Sequence, residues 1–457
     1  VQLIISQTKL HSVIAQVQKV IDTFGYTRLE TQIIQPADLF LTKAGDHIIQ
    51  KLFTFERSGR QMALRPEFTA SAAKFYAEQE NTAVDIPVRW QFAGPIFEDT
   101  SHSNTIYQRY SIGAELIGWA DLRADAEIVA IAAVSVQKIG ISDIYINLGS
   151  VQFMRALLAS YALDTRTQRF VIDHLFHLSK EGKGYVLERF DRLASGIPSP
   201  SSSPDTNASY NLPSLLGDAP AHALAGRTAA DILRRMQGKS IRAASRSVLV
   251  AALEQLERLN EINASPKQAL PQMRALLTHN QTDALASLDS LQALVTFLNH
   301  YGFTSDHIRL QPTLARDWNY YTGTVFEIQT HDGILVAGGG RYDELIRLFG
   351  THVVPAVGMA IHMDGLATAL SLNKTDDEQK IYLQSTAQNH ETALWWATEF
   401  RKNGVLVTVV DATHPMPNSS SERIGWLQVT TKDSVLYQGQ RFEKNDFDTL
   451  VTMLSRR

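Results

Sequence analysis

A chain of 457 residues is too long for one ordinary core, and its length suggests two to four domains. A formal charge of −4 gives no global attraction to nucleic acid or to an anionic membrane. Without a single cysteine, the chain has no disulfide, thiolate nucleophile or cysteine–zinc site, and this suits a reducing cytoplasm. The sequence shows no apolar run near the ~20 residues of a membrane span and no basic segment leading a long apolar stretch, so neither anchor nor signal peptide is expected.

Residues 10–24 carry apolar side chains at Leu10, Val13, Val17, Val20 and Phe24, a helical stripe that Gly25 stops. Residues 26–34 read as a strand, and 52–55 with 61–64 as a hairpin across Arg57, Ser58, Gly59 and Arg60. A helix over 70–78 follows, with Thr69 placed to cap it. Residues 88–97 and 106–117 are the next paired strands, separated by a polar loop. After a helix over 121–140 and a strand over 144–148 the chain turns mostly helical, clearest over 151–161, 165–179, 247–259 and 285–301. Between these, residues 195–214 are rich in serine and proline and are expected to form a mobile surface loop.

The stretch 314–343 is the centre of the pattern. Residues 324–330 are β-branched and aromatic, His331, Asp332 and Gly333 form a turn, and 334–337 return as the second strand. Gly338, Gly339 and Gly340 then allow a tight turn and a close backbone approach. Arg316, Asn319, Tyr320, Tyr321, Arg341 and Tyr342 gather at the hairpin's two ends. A guanidinium with several phenols suits a small zwitterion with a carboxylate and a flat polar side chain; the plainer alternative is a core hairpin capped by tyrosines. A short helix over 342–349 and a strand over 356–361 complete this part. A charged linker at 374–379 leads to a small α/β tail with strands at 381–384, 405–410, 425–430 and 434–438 and helices at 391–403 and 446–454.

Six short segments, in order, carry a family resemblance: Leu64-Arg65-Pro66-Glu67, Gly94-Pro95-Ile96-Phe97, residues 112–118 (IGAELIG), residues 320–327 (YYTGTVFE), Gly339-Gly340-Arg341-Tyr342-Asp343, and residues 356–360 (AVGMA). Together they span roughly residues 10–370 and resemble histidyl-tRNA synthetases and, more closely, their non-aminoacylating relatives, the regulatory subunits of ATP phosphoribosyltransferase. The resemblance implies an α+β fold: a class II aminoacyl-tRNA synthetase-like antiparallel sheet of six strands flanked by helices. Its core would lie in residues 1–150 and 305–372, a helical insertion in 151–304, and a small α/β domain like a shortened anticodon-binding domain in 380–457. It also implies a histidine pocket from Glu67, Glu115, Arg316, Tyr321 and Tyr342, with Thr69 and Tyr320 beside them. Ser111 stands where the family places a glutamine, which shortens one contact.

The nucleotide side departs from the family. Glu98 occupies the position of the arginine expected on the α-phosphate, and Asp364-Gly365 stand where Glu-Arg is expected in motif 3. One arginine on phosphoryl charge is worth about 10³–10⁵ in rate, and a carboxylate in its place repels a polyanion by roughly 4 kcal/mol at ~4 Å. Residues 99–107 hold no arginine or lysine, Arg109 lies further along, and Gln32 replaces the motif 1 proline. The implied function is therefore a non-catalytic subunit without cofactor. It would assemble with the short-form ATP phosphoribosyltransferase catalytic subunit, pair with itself as a dimer, take L-histidine as effector, and bind neither tRNA nor membrane. A divergent histidyl-tRNA synthetase is the alternative, and a synthetase-like module in another pathway the third possibility. The basic residues of the tail, among them Arg401, Lys402, Arg423, Lys432, Arg441 and Lys444, are scattered among acids and read as a solvated face. Gly238-Lys239-Ser240 fails as a phosphate loop because Leu233 stands where its first glycine belongs. His174 and His177 share a helix face without a third metal ligand in the pattern, and no Gly-x-Ser-x-Gly elbow occurs.

Overall fold

The computed structural model describes residues 7–41, 51–79, 87–99, 108–194, 246–314, 316, 320–372, 380–386, 388–403, 405, 407–411, 424–431, 434–437 and 439–455. The expected loop at 195–214, the linker at 374–379, Asn319, the Gly238-Lys239-Ser240 segment, Arg423 and Lys432 lie outside these residues. The chain divides into two units, Val1–Leu372 and Asn373–Arg457.

The first unit contains β1 (Thr27–Arg28), β2 (Ile34–Pro36), β3 (Thr54–Arg57), β4 (Arg60–Leu64), β5 (Val88–Phe97), β6 (Gln108–Ile117), β7 (Ile144–Ser150), β8 (Ile308–Leu310), β9 (Thr324–Thr330), β10 (Leu335–Arg341) and β11 (Ala356–His362). Its main sheet has the order β1-β5-β6-β11-β10-β9-β7-β8. The six middle strands pair antiparallel, as expected, but a short parallel strand is added at each edge, β1 on β5 and β8 on β7, so the sheet is mixed. β1 pairs with β5 at Trp90 and Gln91, short of Pro95, so this residue lacking N–H faces no strand there among the described residues, and its carbonyl accepts from Arg65 Nε at 2.8 Å. The strand expected over 26–34 is two short pieces, β1 and β2, of which β2 belongs to a separate three-stranded sheet, β2-β4-β3. The β3–β4 turn uses Ser58 and Gly59, both at positive φ.

Period-two alternation divides the main sheet into two faces. On one, Ile112, Ala114, Leu116, Phe326, Ile328, Ala337, Val357 and Ile361 enter an apolar core with the helix Leu122–Lys138. That helix is buried nearly all round, its sequence being a run of Ala, Ile and Val, and Asp121 caps it by accepting from Arg123 N. The helices Val151–Ala159, Thr165–Asp173, Leu175–Ala194, Arg246–Asn260, Pro266–Ala275 and Thr282–His300 add side chains to the same core. The helix expected over 165–179 is interrupted at His174, and the next one kinks at Gly182, whose φ is +79°.

The other face of the main sheet bears the cavity. Ladder register places Glu115 opposite Gly358, Gly113 opposite Ala360 and Ser111 opposite His362. Gly340 stands opposite both Gly358 and Val325, and Gly338 opposite both Ala360 and Glu327. The three glycines 338–340 are thus the body of β10 and not a turn after it. A Cβ at Gly339 would overlap the Gly358 carbonyl oxygen, so the close-approach half of the expectation holds and the turn half does not.

The second unit is a five-stranded sheet of order β13-β12-β14-β15-β16, with β12 Lys380–Ser385, β13 Val407–Asp411, β14 Ile424–Thr431, β15 Ser434–Tyr437 and β16 Gln440–Glu443. β12 pairs parallel with β13 and β14, and the helices His390–Lys402 and Phe447–Ser455 share its core through Trp396, Phe400 and Leu450. β16 was not apparent from sequence.

Candidate functional site

Above the cavity face lies a space of about 570 Å³. Its inner end is built on Glu115, only 1% exposed on β6. One carboxylate oxygen accepts from the Thr69 hydroxyl at 2.6 Å and the other from the Tyr342 hydroxyl at 2.5 Å. A Cβ at Gly358 would overlap this carboxylate, so the facing strand must be bare there. Glu67 stands nearby and accepts from the backbone N–H groups of Thr69 and, at 2.8 Å, Ala70. The helix Thr69–Glu78 is therefore capped by Glu67. Thr69, expected to cap it, is the first helical residue and directs its hydroxyl to Glu115.

Burial pushes both acids up, Glu67 to about 7 and Glu115 to about 8. Their hydrogen bonds work in the opposite direction, and the Glu67 charge adds to the rise at Glu115. Two carboxyl groups share this end with no arginine or lysine among the described residues bonded to either, an arrangement that favours a ligand bringing its own positive group. Tyr320 packs against Tyr321 at 4.8 Å and edge-on to Tyr342 at 5.7 Å between ring centres, which supplies flat walls.

Arg316 lies over Gly338, where a Cβ would overlap its guanidinium. Nη1 donates to Glu327 Oε1 at 3.2 Å and Nη2 to His362 Nε2 at 3.3 Å, while Nε has no acceptor among the described residues. Burial opposes its charge, but Tyr321 and Glu327 more than offset this and raise its pKa. A small carboxylate brought to this guanidinium would gain a charge-assisted contact.

At the outer end the charges answer one another. Arg109 approaches Glu98 at 3.5 Å and Asp364 at 3.1 Å. Gly365 lies in the first turn of the helix Met363–Leu372 against β10, and a Cβ there would overlap the Leu335 carbonyl oxygen. On this backbone, position 365 has no room for any side chain.

The structure thus brings together around one cavity Glu67, Thr69, Ser111, Tyr320, Tyr321, Tyr342 and Arg316, with Glu98 and Gly365 at its far end. Glu115 borders it through its bonds to Thr69 and Tyr342. Arg341 is not in that group. It shares the sheet face of Ala337 and Gly339 and forms a buried pair with Asp125 of the helix beneath, Nε to the two carboxylate oxygens at 3.1 and 3.0 Å. The lining residues that the motifs do not assign to the site include Lys51 and His362. Lys51 reaches the outer end because its carbonyl accepts from Asp99 N at 2.7 Å, a contact that no motif signals. His362 lies within the motif 3 segment, and its place opposite Ser111 follows from pairing the two strands.

Residues 6–182 and 210–366 match the family described as histidyl-tRNA synthetase. The histidine–tRNA ligase of Pyrococcus abyssi (strain GE5 / Orsay) is 26% identical over 408 residues, covering 86% of this chain and 80% of that one. The ATP phosphoribosyltransferase regulatory subunit of Sinorhizobium fredii (strain NBRC 101917 / NGR234) is 27% identical over 358 residues, 75% of this chain and 93% of the relative. Among solved structures, histidyl-tRNA synthetase from Nostoc sp. PCC 7120 superposes with a TM-score of 0.69 at 16% identity, over 99% of this chain and 96% of that one. An ATP phosphoribosyltransferase regulatory subunit/histidyl-tRNA synthetase from Bacillus halodurans C gives 0.64 at 22% identity, over 91% and 92%. These structural likenesses bear on the fold, and they agree with the class II synthetase-like sheet and the C-terminal α/β unit.

Proposed function

The chain belongs to the histidyl-tRNA synthetase family, and from that premise we propose that it is a non-catalytic regulatory subunit of ATP phosphoribosyltransferase. In this reading it activates a short-form catalytic subunit at the first step of L-histidine biosynthesis, in the cytoplasm and as a self-associating dimer. L-histidine in the cavity confers feedback. The supporting observation is the outer end of the cavity: Glu98 and Asp364 occupy Arg109, and position 365 has no space for a phosphate-binding side chain. A triphosphate would meet Glu98 and Asp364 there, with Arg109 already paired to both, and the loss of one phosphate-binding arginine alone costs about 10³–10⁵ in rate. The inner end keeps two carboxyl groups, three phenols and a guanidinium, a set suited to an amino acid with an imidazole side chain. Feedback then needs only that histidine bind the inhibited complex more tightly than the active one, with a typical coupling of about 1–3 kcal/mol.

The test pairs two assays. Short-form catalytic subunit mixed with this chain is expected to gain phosphoribosyltransferase activity and to lose it again with histidine. The purified chain alone is expected to show no histidine-dependent ATP–pyrophosphate exchange, and exchange would overturn the non-catalytic reading. The second reading, a divergent histidine–tRNA ligase, is favoured by the name of the Pyrococcus relative and by Lys51, a cation at the outer end. Exchange activity lost in Lys51→Ala would be its signature.

A further inference from the structure

Ser111 and His362 stand directly opposite each other across the β6–β11 ladder, so their side chains rise from one face with Cβ atoms about 4.5–5.5 Å apart. Both line the cavity. Ser111 is the short member, at a position where the family resemblance places a glutamine amide. His362 is the long one, and it follows Ala360, which offers no polar group, on the same face of β11.

His362 is already engaged on one side. Arg316 donates to Nε2 at 3.3 Å, so Nε2 accepts and the ring proton sits on Nδ1. Among the described residues Nδ1 has no hydrogen-bond partner, and Arg316 Nε lacks one as well. Burial, then the Arg316 and Arg109 charges, hold the imidazole down to about 3, so it stays neutral near neutral pH and keeps that single N–H. Two bonded neighbours thus each retain one unused donor at the same end of the cavity.

We propose that His362 is a specificity-determining residue of this site: it holds the Arg316 guanidinium and, together with it, donates to the carboxylate of the bound amino acid. In doing so it supplies from across the ladder the polar contact that Ser111 is too short to make. This rests on the amino-acid-binding reading of the cavity.

The test is calorimetric titration of the full chain with L-histidine and with L-histidinol, which carries a hydroxymethyl group in place of the carboxylate. His362→Ala is expected to weaken L-histidine about ten-fold, with the alcohol changing about two-fold at most. Ser111→Gln alone is expected to weaken both ligands, since two long side chains then compete for one place. The double variant Ser111→Gln/His362→Ala is expected to recover most of the histidine affinity. His362→Gln, which keeps a donor, serves as the folded control and should stay within about three-fold of the unaltered chain. Equal losses for the two ligands in His362→Ala, or a double variant no better than His362→Ala, would overturn the inference and leave the amino-acid reading intact. An unaltered chain that binds neither ligand would bring down both.

Discussion

The two ends of the cavity hold similar numbers of charged groups and dispose of them in opposite ways. At the outer end Glu98 and Asp364 both pair with Arg109, so these three leave little for a ligand to satisfy, while Lys51 stands outside that set and is the group on which the ligase reading rests. At the inner end, among the described residues, Glu67 and Glu115 bond to neutral donors and Arg316 Nε has no acceptor. The difference teaches that charge alone does not mark a binding site; charge left unanswered by the protein does.

The largest effect expected from this contrast is at Arg316. Arg316→Ala should weaken L-histidine binding by roughly a hundred-fold, the range of a lost charge-assisted hydrogen bond, whereas Arg109→Ala should change it by about two-fold at most. Comparable losses in both, by calorimetry, would erase the distinction between the ends. Glu115→Gln, which keeps the shape and removes the charge, should cost about ten-fold in the same titration. At the outer end, Glu98→Arg should fail to restore pyrophosphate exchange, because position 365 still lacks room for the second arginine.

The pH dependence of the ligand-free chain is a smaller effect with a definite sign. Glu67 and Glu115 are raised in the folded state from an ordinary 4.5 to about 7 and about 8, so the folded chain binds more protons than the unfolded one across that interval. Their contribution is full below about 4.5 and is lost as pH rises through the folded values. His362, lowered to about 3, acts in the opposite sense, but only below its ordinary 6.5. Between about 6.5 and 8 the acids are therefore unopposed among these three, and the melting temperature should fall as pH rises. Glu115→Gln should flatten that slope. Smallest of all, Asp364→Asn should cost less than about 1 kcal/mol in urea unfolding, because Arg109 is 40% and Asp364 49% exposed and solvent screens the pair.

Much of this arrangement is legible in the sequence where the cause is local. β9 spans Thr324–Thr330, as its β-branched run implies, and Gly25 ends the first helix at a φ of +83°. Failures came where a partner distant in sequence decides. Thr69 carries a capping residue's side chain, but Glu115, 46 positions away, takes its hydroxyl. Arg341 looked like a cavity residue because it adjoins Tyr342. Strict alternation along β10 places 338 and 340 on one face and 337, 339 and 341 on the other, where Asp125 is 216 positions away in sequence. The glycines themselves concealed the strand, since the composition of a turn and of a strand under a close neighbour is the same. The pocket residues read from motif order are gathered around one cavity, whereas Lys51 arrives only through a backbone contact to Asp99.

The bare peptide floor formed by Gly338, Gly340 and Gly358 has a consequence for how such a protein diversifies. A methyl group at any of the three would collide with a guanidinium, a carbonyl or a carboxylate, so mutation has almost nothing to vary in the floor of the cavity. New preferences must be acquired from the rim, at positions such as 69, 111, 320 and 362, while the ground under them stays the same across every descendant that keeps this backbone.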